Sequence, residues 1–401
     1  MSVMTTAPAP QQQPAAAAPA PSWPFPTGVL KSENPDYDQT KALAATAVQM
    51  PNYTLEPTGW LRGLEFQFDL IVTGQSTNVV AFGPDGVYAG VNKITFKDTG
   101  NREVFGPLGG YDWMTIDKYG AYYNVGDPRS DLASSVTVGA VATGGSASFV
   151  LYLPLELVAR DALGTVENKS DNTAWKCELW IEGTSVLYPA VAPSTTPSMR
   201  VRITEDSYTE PAAASGGGRP FADTPPKVGT LQYWVQESSP QGSGTYSYNL
   251  DNGIGYPLRN LIYKLTRAAG TRANGDADWP DPVTLTYGKV QLFQRYKNLW
   301  ISKIGRSFGD QTPAVTTAAG VTTANVDTAG GRENGVYPVW FTDDFSIQPG
   351  AELRNGYLVT KTGTVLKWKG ALIGGNTDII NVLSNYVIPP DNNYYALLSG
   401  R

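Results

Sequence analysis

The chain has 401 residues and a formal net charge of −6, with 16% charged residues, 42 Gly, 30 Pro, 22 Tyr and 10 Trp. That length suits two domains of ordinary size, and few charges with many turn-formers and aromatics point to an all-β protein with long loops. Histidine is absent and Cys177 is the single cysteine, which excludes histidine-based nucleophile systems, His-ligated metals, an intrachain disulfide and a four-cysteine metal site.

Residues 1–27 are dominated by Ala, Pro and Gln. Such a segment cannot bury enough apolar surface to offset its ordering entropy. It reads as a disordered tail or as an arm that orders only against neighbouring subunits. Its start, MSVMTTAPAPQQQP, lacks the basic and apolar regions of a secretory signal. No apolar run approaches the roughly 20 residues of a membrane span.

Strand signals follow in series. Leu64, Phe66, Phe68, Leu70 and Val72 alternate with Glu65, Gln67 and Asp69, which predicts a strand with one buried face. Ile94 and Phe96 begin another, closed by the turn Asp98-Thr99-Gly100-Asn101. Val136, Val138 and Val141 lie near a third. The run Ser148–Leu157 is nearly all apolar, as in a strand covered on both faces, with Pro154 at an end or bulge. Trp175, Cys177, Leu179 and Ile181 alternate with Lys176, Glu178 and Glu182, and Met199, Val201 and Ile203 make one more strand.

Residues 205–227 have no periodicity and are rich in Gly, Pro and Ala, so a domain boundary is expected there. Beyond it, Leu231, Tyr233 and Val235 alternate, as do Val283, Leu285 and Tyr287. Tyr357 and Val359 share a strand face, and Thr362-Gly363 turns into Val365-Leu366-Lys367-Trp368. Ile379–Leu383 is a buried segment of either type. Phe293, Tyr296, Trp300 and Ile304 predict a helix over 290–304, and Leu258, Leu261, Ile262 and Leu265 allow another.

The expected organisation is a 1–27 arm, a first domain at 28–210, a linker at 211–227 and a second domain at 228–401. Each half carries enough strands for an eight-stranded jelly roll. The expected fold class is therefore all-β, two consecutive eight-stranded jelly rolls with a few short helices in loops. No short repeat suggests a propeller or solenoid.

Candidate chemistry is sparse. Asp98-Thr99-Gly100 matches the aspartic-protease signature, but that reaction needs two carboxylates sharing one proton. No second such tripeptide exists. Asp251-Asn252-Gly253 lacks the hydroxyl, and Lys97 precedes the first motif where an apolar residue belongs. A hairpin turn is the better reading. Glycoside hydrolysis needs a flanking carboxylate pair, and none stands out by spacing. Asp343-Asp344 and Asp276-Ala277-Asp278 read as solvated loop charge before a cation site. Trp175 and Trp368 read as packing residues, whereas Trp180 points away from the Trp175 face toward a second layer or a neighbour. Cys177 reads as a small buried hydrophobe. The sequons at Asn52 and Asn168 are chance-level. There is neither a P-loop nor a dinucleotide fingerprint, since Gly216, Gly217 and Gly218 fall in the linker. No catalytic, cofactor or metal residue is nominated, and a structural or adhesive protein is expected instead of an enzyme.

One block is more specific. Phe149-Val150-Leu151-Tyr152-Leu153-Pro154-Leu155-Glu156 precedes Arg160-Asp161-Ala162-Leu163-Gly164, a polar stretch and the strand Trp175–Ile181. This resembles the first jelly roll of the double jelly-roll major capsid proteins of tectivirus-like, tailless, membrane-containing bacteriophages. Ile94-Thr95-Phe96, the Gly106–Tyr119 segment, Gly255-Tyr256-Pro257-Leu258, the region 283–304, Gly356–Lys369 and 378–388 fit the same order of elements. The Ala/Pro-rich arm departs from the more helical start common in that family.

The resemblance implies a homotrimer whose six lobes form a pseudo-hexameric capsomer tiling an icosahedral shell. It implies as partners neighbouring capsomers, penton or vertex and minor capsid proteins, and the internal viral membrane through the arm. Its location would be the virion, after assembly in the bacterial cytoplasm. No cofactor and no sequence-specific nucleic-acid binding are expected, in line with the acidic pI of about 4.9. Loops such as 305–335 and 206–227 would form towers or clasps. The alternatives are a carbohydrate-binding β-sandwich or spike protein, and a two-carboxylate hydrolase.

Overall fold

The computed structural model describes residues 23–71, 85–120, 135–137, 146–159, 161–170, 174–189, 193, 195–211, 221–241, 244–267, 275–308, 313–318, 321–327, 332–333, 335–341, 356–372 and 378–390. The first eleven strands are β1 (Lys31–Ala42), β2 (Val48–Gln49), β3 (Tyr53–Thr54), β4 (Gly59–Ile71), β5 (Val91–Lys97), β6 (Glu103–Leu108), β7 (Ser135–Thr137), β8 (Ser146–Pro154), β9 (Val166–Asn168), β10 (Lys176–Ile181) and β11 (Ser198–Tyr208). The second group is β12 (Leu231–Gln241), β13 (Gly244–Leu250), β14 (Pro257–Arg267), β15 (Val283–Tyr287), β16 (Val290–Arg295), β17 (Pro313–Ala318), β18 (Val321–Asp327), β19 (Val336–Trp340), β20 (Leu358–Val359), β21 (Leu366–Leu372) and β22 (Asp378–Ile388). Helices α1 (Gly110–Tyr119) and α4 (Lys297–Phe308) are substantial, whereas α2 (Thr184–Leu187) and α3 (Gly275–Asp278) are single turns.

The pairing follows one rule, used twice. In the first group β1 pairs with β11, β2 and β3 with β10, β4 with β8, and β5 with β6, all antiparallel. First meets last and second meets second-last, so a long hairpin is rolled into two facing sheets. Their orders are β1-β11-β4-β8-β7 and β2-β10-β5-β6. The second group repeats it, with β12 on β22, β13 on β21, β14 on β19 and β15 on β16. Each group is a jelly roll, and the all-β, double jelly-roll expectation holds.

The alternating residues fill each sandwich. Leu64, Phe66, Phe68 and Leu70 of β4 are buried, and Phe68 stacks on Phe149 of β8 with centroids 4.8 Å apart. From the facing sheet Cys177, Leu179 and Ile181 lie opposite Phe96, Ile94 and Val91. Burying each large side chain contributes about 1.5–3 kcal/mol before entropy is counted. In the second sandwich Tyr263, Trp279, Trp300, Tyr337 and Trp368 form one aromatic cluster.

The two sandwiches are joined. β6 meets β12 in parallel at Phe105 and Trp234, so the sheets merge into the order β19-β14-β22-β12-β6-β5-β10-β2. One apolar cluster runs across this joint from Tyr37 to Leu383. Helix α1 is inserted at the joint with all ten of its residues buried. Its start needs glycine, because a Cβ on Gly110 would lie 2.3 Å from the Tyr88 carbonyl oxygen. The chain passes between the sandwiches after β11. Ala222 donates its N–H to the Trp23 carbonyl, and Phe25 packs edge-on against Trp60 and Tyr208. The end of the arm therefore lies beside the linker, against the first sandwich.

Several expectations are corrected. Leu258–Leu265 is not a helix but part of β14, covered on both faces. Tyr263 enters the aromatic cluster while Asn260 and Lys264 reach α1. Two-faced burial removes the polar alternation that identifies a strand. The helix expected over 290–304 begins only at Lys297, and 290–295 is β16. Phe293 touches Trp300 from the strand at 5.8 Å, which mimics helical spacing. In β12 the fully buried residues are Gln232 and Trp234, whereas Leu231, Tyr233 and Val235 are half-buried, with Tyr233 stacked on Tyr386. β8 has one buried face, and Val150 on the other is 36% exposed. Pro154 ends β8, and 379–383 is strand. Val72, Val138 and Val141 lie outside the described residues.

Candidate functional site

Asp98 and Asp276, singled out by sequence, are held by structural donors. Asp98 closes the turn between β5 and β6, accepting from the Arg102 N–H and Nε at 2.8 Å each. Asn101 completes that turn at φ 63°. Asp276 accepts from Tyr337, from the Gly335 N–H and, in an ion pair, from Arg332. Asp251 lies in another turn, its N–H donated to Glu237. Asp343 and Asp344 lie outside the described residues. Among the described residues no three His, Cys, Asp or Glu gather as a metal site. Asn168 is buried and donates to the Glu56 carbonyl, which removes it as a glycosylation acceptor. Cys177 is buried, and burial pushes its thiol well up.

Most of the tryptophans are internal. Trp60, Trp113, Trp234, Trp279, Trp300 and Trp368 are each at most 1% exposed, and Trp175 stacks on Phe96 at 5.3 Å. Trp180 does face away from that layer, with the Lys93 ammonium 4.7 Å over its ring. The one exposed Trp is Trp23, at 46%. The tryptophans therefore offer no sugar-binding platform.

Two buried polar systems set geometry. In the first sandwich Glu205 accepts from the Tyr53 hydroxyl (2.6 Å), the Thr58 hydroxyl (3.0 Å) and the Glu56 N–H (3.1 Å). Burial raises its carboxyl above the usual range against those donors. At the joint, Lys118 of α1 pairs with Glu333 at 2.7 Å, both side chains fully buried. The Tyr119 hydroxyl donates to Glu333 at 2.5 Å, and the Glu333 N–H returns a bond to it at 2.9 Å. Arg259 donates to the Gly120 carbonyl, Trp340 to the Tyr119 carbonyl, and Lys264 pairs with Asp112. Every group links α1 to the second sandwich, so the joint has a directional polar seam in addition to apolar contact. Sequence reasoning missed it because its partners lie 139 to 221 positions apart.

The surfaces left over are sheet edges. Within the chain the β6 edge of the first sandwich is taken by β12 of the second. The equivalent pair, β16 of the second sandwich and β1 of the first, each has one strand neighbour among the described residues. On β16, at Tyr296 and at the start of α4, Val290, Tyr296 and Leu299 are 62%, 59% and 51% exposed, and Lys289, Lys303 and Arg306 are exposed too. β1 presents exposed Lys31, Glu33 and Asp36, and its Asp38 is ion-paired with Arg200 of β11. Pro35 with its bulge blunts β1 against indiscriminate pairing.

A cleft of about 430 Å³ opens where the first sandwich meets the start of β12, lined by Thr99, Val166, Lys169, Trp175, Val228 and Leu231 among others.

No protein-family model matches the chain, and no curated protein matches it in sequence. Its fold is matched by solved structures. The major capsid protein of STIV is 14% identical, with a TM-score of 0.55 over 93% of this chain and 100% of that one. A chain in the atomic structure of Sulfolobus Turreted Icosahedral Virus is 13% identical, with a TM-score of 0.55 over 92% and 93%. PBCV-1 VP54, fitted into a reconstruction of the virophage Sputnik, is 11% identical, with a TM-score of 0.52 over 90% and 93%. At such identities the likeness establishes the fold.

Proposed function

We propose that this chain is the major capsid protein of a tailless icosahedral virus and acts by assembly, not catalysis. The observation that carries the reading is the doubled jelly roll joined edge to edge, an arrangement it shares with the STIV major capsid protein over almost the full length of both chains. Independent sandwich proteins have no need of a shared sheet and a buried polar seam. A shell subunit does, because its two lobes must keep one angle in every copy.

The oligomer in this reading is a homotrimer giving a six-lobed capsomer. The leftover edges support it. If β16 of one copy meets β1 of the next as β6 meets β12 within a copy, the contact is head-to-tail, the kind that forms a ring when its rotation closes. The division into domains at 28–210 and 228–401 with a linker at 211–227 belongs to the same proposal, as do neighbouring capsomers and vertex or minor capsid proteins as partners. A bacterial host, cytoplasmic assembly and an internal membrane rest on the 149–181 resemblance alone.

Light scattering on the purified protein tests the oligomer. The expected mass is three times 43.0 kDa. Val290→Glu, at a 62% exposed position, is expected to leave the fold intact and release monomer. A wild-type protein that stays monomeric at micromolar concentration refutes the reading.

A further inference from the structure

Basic side chains are unevenly placed. The protein carries a net charge of −6, yet residues 282–308 and 356–372 together hold eight Lys or Arg and no Asp or Glu. These stretches build β15, β16, α4 and β21. Two of their turns form one tip. Tyr287 pairs with Val290 across Gly288 and Lys289, and the Thr364 N–H donates to the Lys361 carbonyl to close the second turn. The Gly288 N–H donates to the Val365 carbonyl at 2.8 Å and the Lys361 N–H to the Tyr287 hydroxyl at 2.6 Å, which holds the turns side by side. Gly363 stands at φ 84°, and a Cβ there would meet nothing within 4 Å beyond its chain neighbours, so the tip projects into open space. It exposes Val365, at 45%, beside exposed Lys289 and Lys361, with Val290 of the β16 edge next to them. Behind it on β21, Leu366 and Trp368 are buried, so Lys367 and Lys369 lie on the outer face, among Thr284, Thr286, Ser247 and Asn249 of the flanking strands. These four lysines have no ion-pair partner among the described residues. Two carboxylates lie near: Asp251, which follows the Leu250–Leu366 pair, and Glu237, which accepts from Tyr248 and from the Asp251 N–H.

We propose that this tip docks on a lipid surface bearing anionic phosphate headgroups, with Val365 between the headgroups and Lys289, Lys361 and Lys367 at the phosphate level. An aliphatic side chain at a turn tip gains nothing from water, and long lysines around it can hold phosphate while the tip enters the apolar boundary. Bases are read by arginine and stacked on by aromatic rings, whereas this tip offers valine and lysine. The attraction is local, because the chain as a whole is acidic. The proposal rests on the tip and not on the capsid reading. A monomer that binds vesicles keeps it, and a trimer that does not bind them overturns it.

Flotation of the full chain with lipid vesicles is the test. Vesicles of phosphatidylglycerol and phosphatidylcholine in equal parts are expected to carry the protein, and phosphatidylcholine alone is not. Lys289→Gln with Lys361→Gln should weaken binding about 25-fold, about fivefold for each lysine near an anionic leaflet. Lys303→Gln with Arg306→Gln removes the same charge from α4, beyond the opposite end of β16, and should change binding by less than about twofold. Val365→Asn should weaken binding while leaving its salt dependence as it is. Insertion is read at Thr362→Cys carrying a polarity-sensitive dye, Thr362 being exposed and native Cys177 buried. The dye emission should shift to the blue on the anionic vesicles and stay unchanged with duplex DNA. Failure to float, an equal loss in the α4 variant or an unmoved dye overturns the proposal. A shift on DNA overturns it in favour of nucleic acid, and a shift that grows with protein concentration without vesicles overturns it in favour of a second copy.

Discussion

Removing one member of the Lys118–Glu333 pair should be among the most damaging changes available to this fold. Both side chains are fully buried, so neither charge can recover water when its partner goes. Lys118→Met leaves Glu333 with the Tyr119 hydroxyl and is expected to cost about 3 kcal/mol. Glu333→Leu takes the carboxylate from both the ammonium and that hydroxyl, for about 4–5 kcal/mol. The double variant removes both charges and takes from the Tyr119 hydroxyl its carboxylate acceptor while the N–H of residue 333 still donates to it, at about 1–3 kcal/mol. The coupling energy is then about 4–7 kcal/mol, above the range usual for contacting residues. Urea unfolding followed by tryptophan fluorescence and far-UV circular dichroism gives the numbers, provided the two transitions coincide. A single variant costing under about 1 kcal/mol, or a double equal to the sum of the singles, refutes the argument that the seam is desolvated and coupled.

Two further outcomes follow from buried groups. Asp117 of α1 accepts one bond, from the Tyr152 N–H at 2.8 Å, and its other oxygen has no hydrogen-bond partner. Burial holds its carboxyl well above the usual 3.8, so it stays protonated in the folded state after the unfolded chain has released its proton. Its contribution is best below 3.8 and is lost as pH rises toward the folded value. Asp117→Asn should gain stability over wild type between acid and neutral pH, by a margin that widens with pH; a margin independent of pH contradicts this. Cys177 should resist thiol reagents at pH 8 until the chain unfolds, because burial pushes the thiol up and shields it. Cys177→Ala should cost only about 1 kcal/mol, and rapid labelling of native protein would count against the burial.

The amino-acid sequence by itself determined the fold class, most strand positions and the absence of His-based or multi-cysteine chemistry. Strands with one wet face, such as β4 and β10, announce themselves because water selects every second residue. The Asp98 turn and the Pro154 strand end were legible for a similar local reason, since each depends on neighbours within a few positions. Tertiary structure decided what happens where both faces are covered. β14 carries Leu at helical spacing because Trp-lined core lies on one side of it and α1 on the other. α1 escaped notice because a helix buried on every side has no polar stripe. The seam from Lys118 to Glu333 and the unpaired β1 and β16 edges are set by which distant strands meet, and that depends on long-range packing that no local pattern encodes.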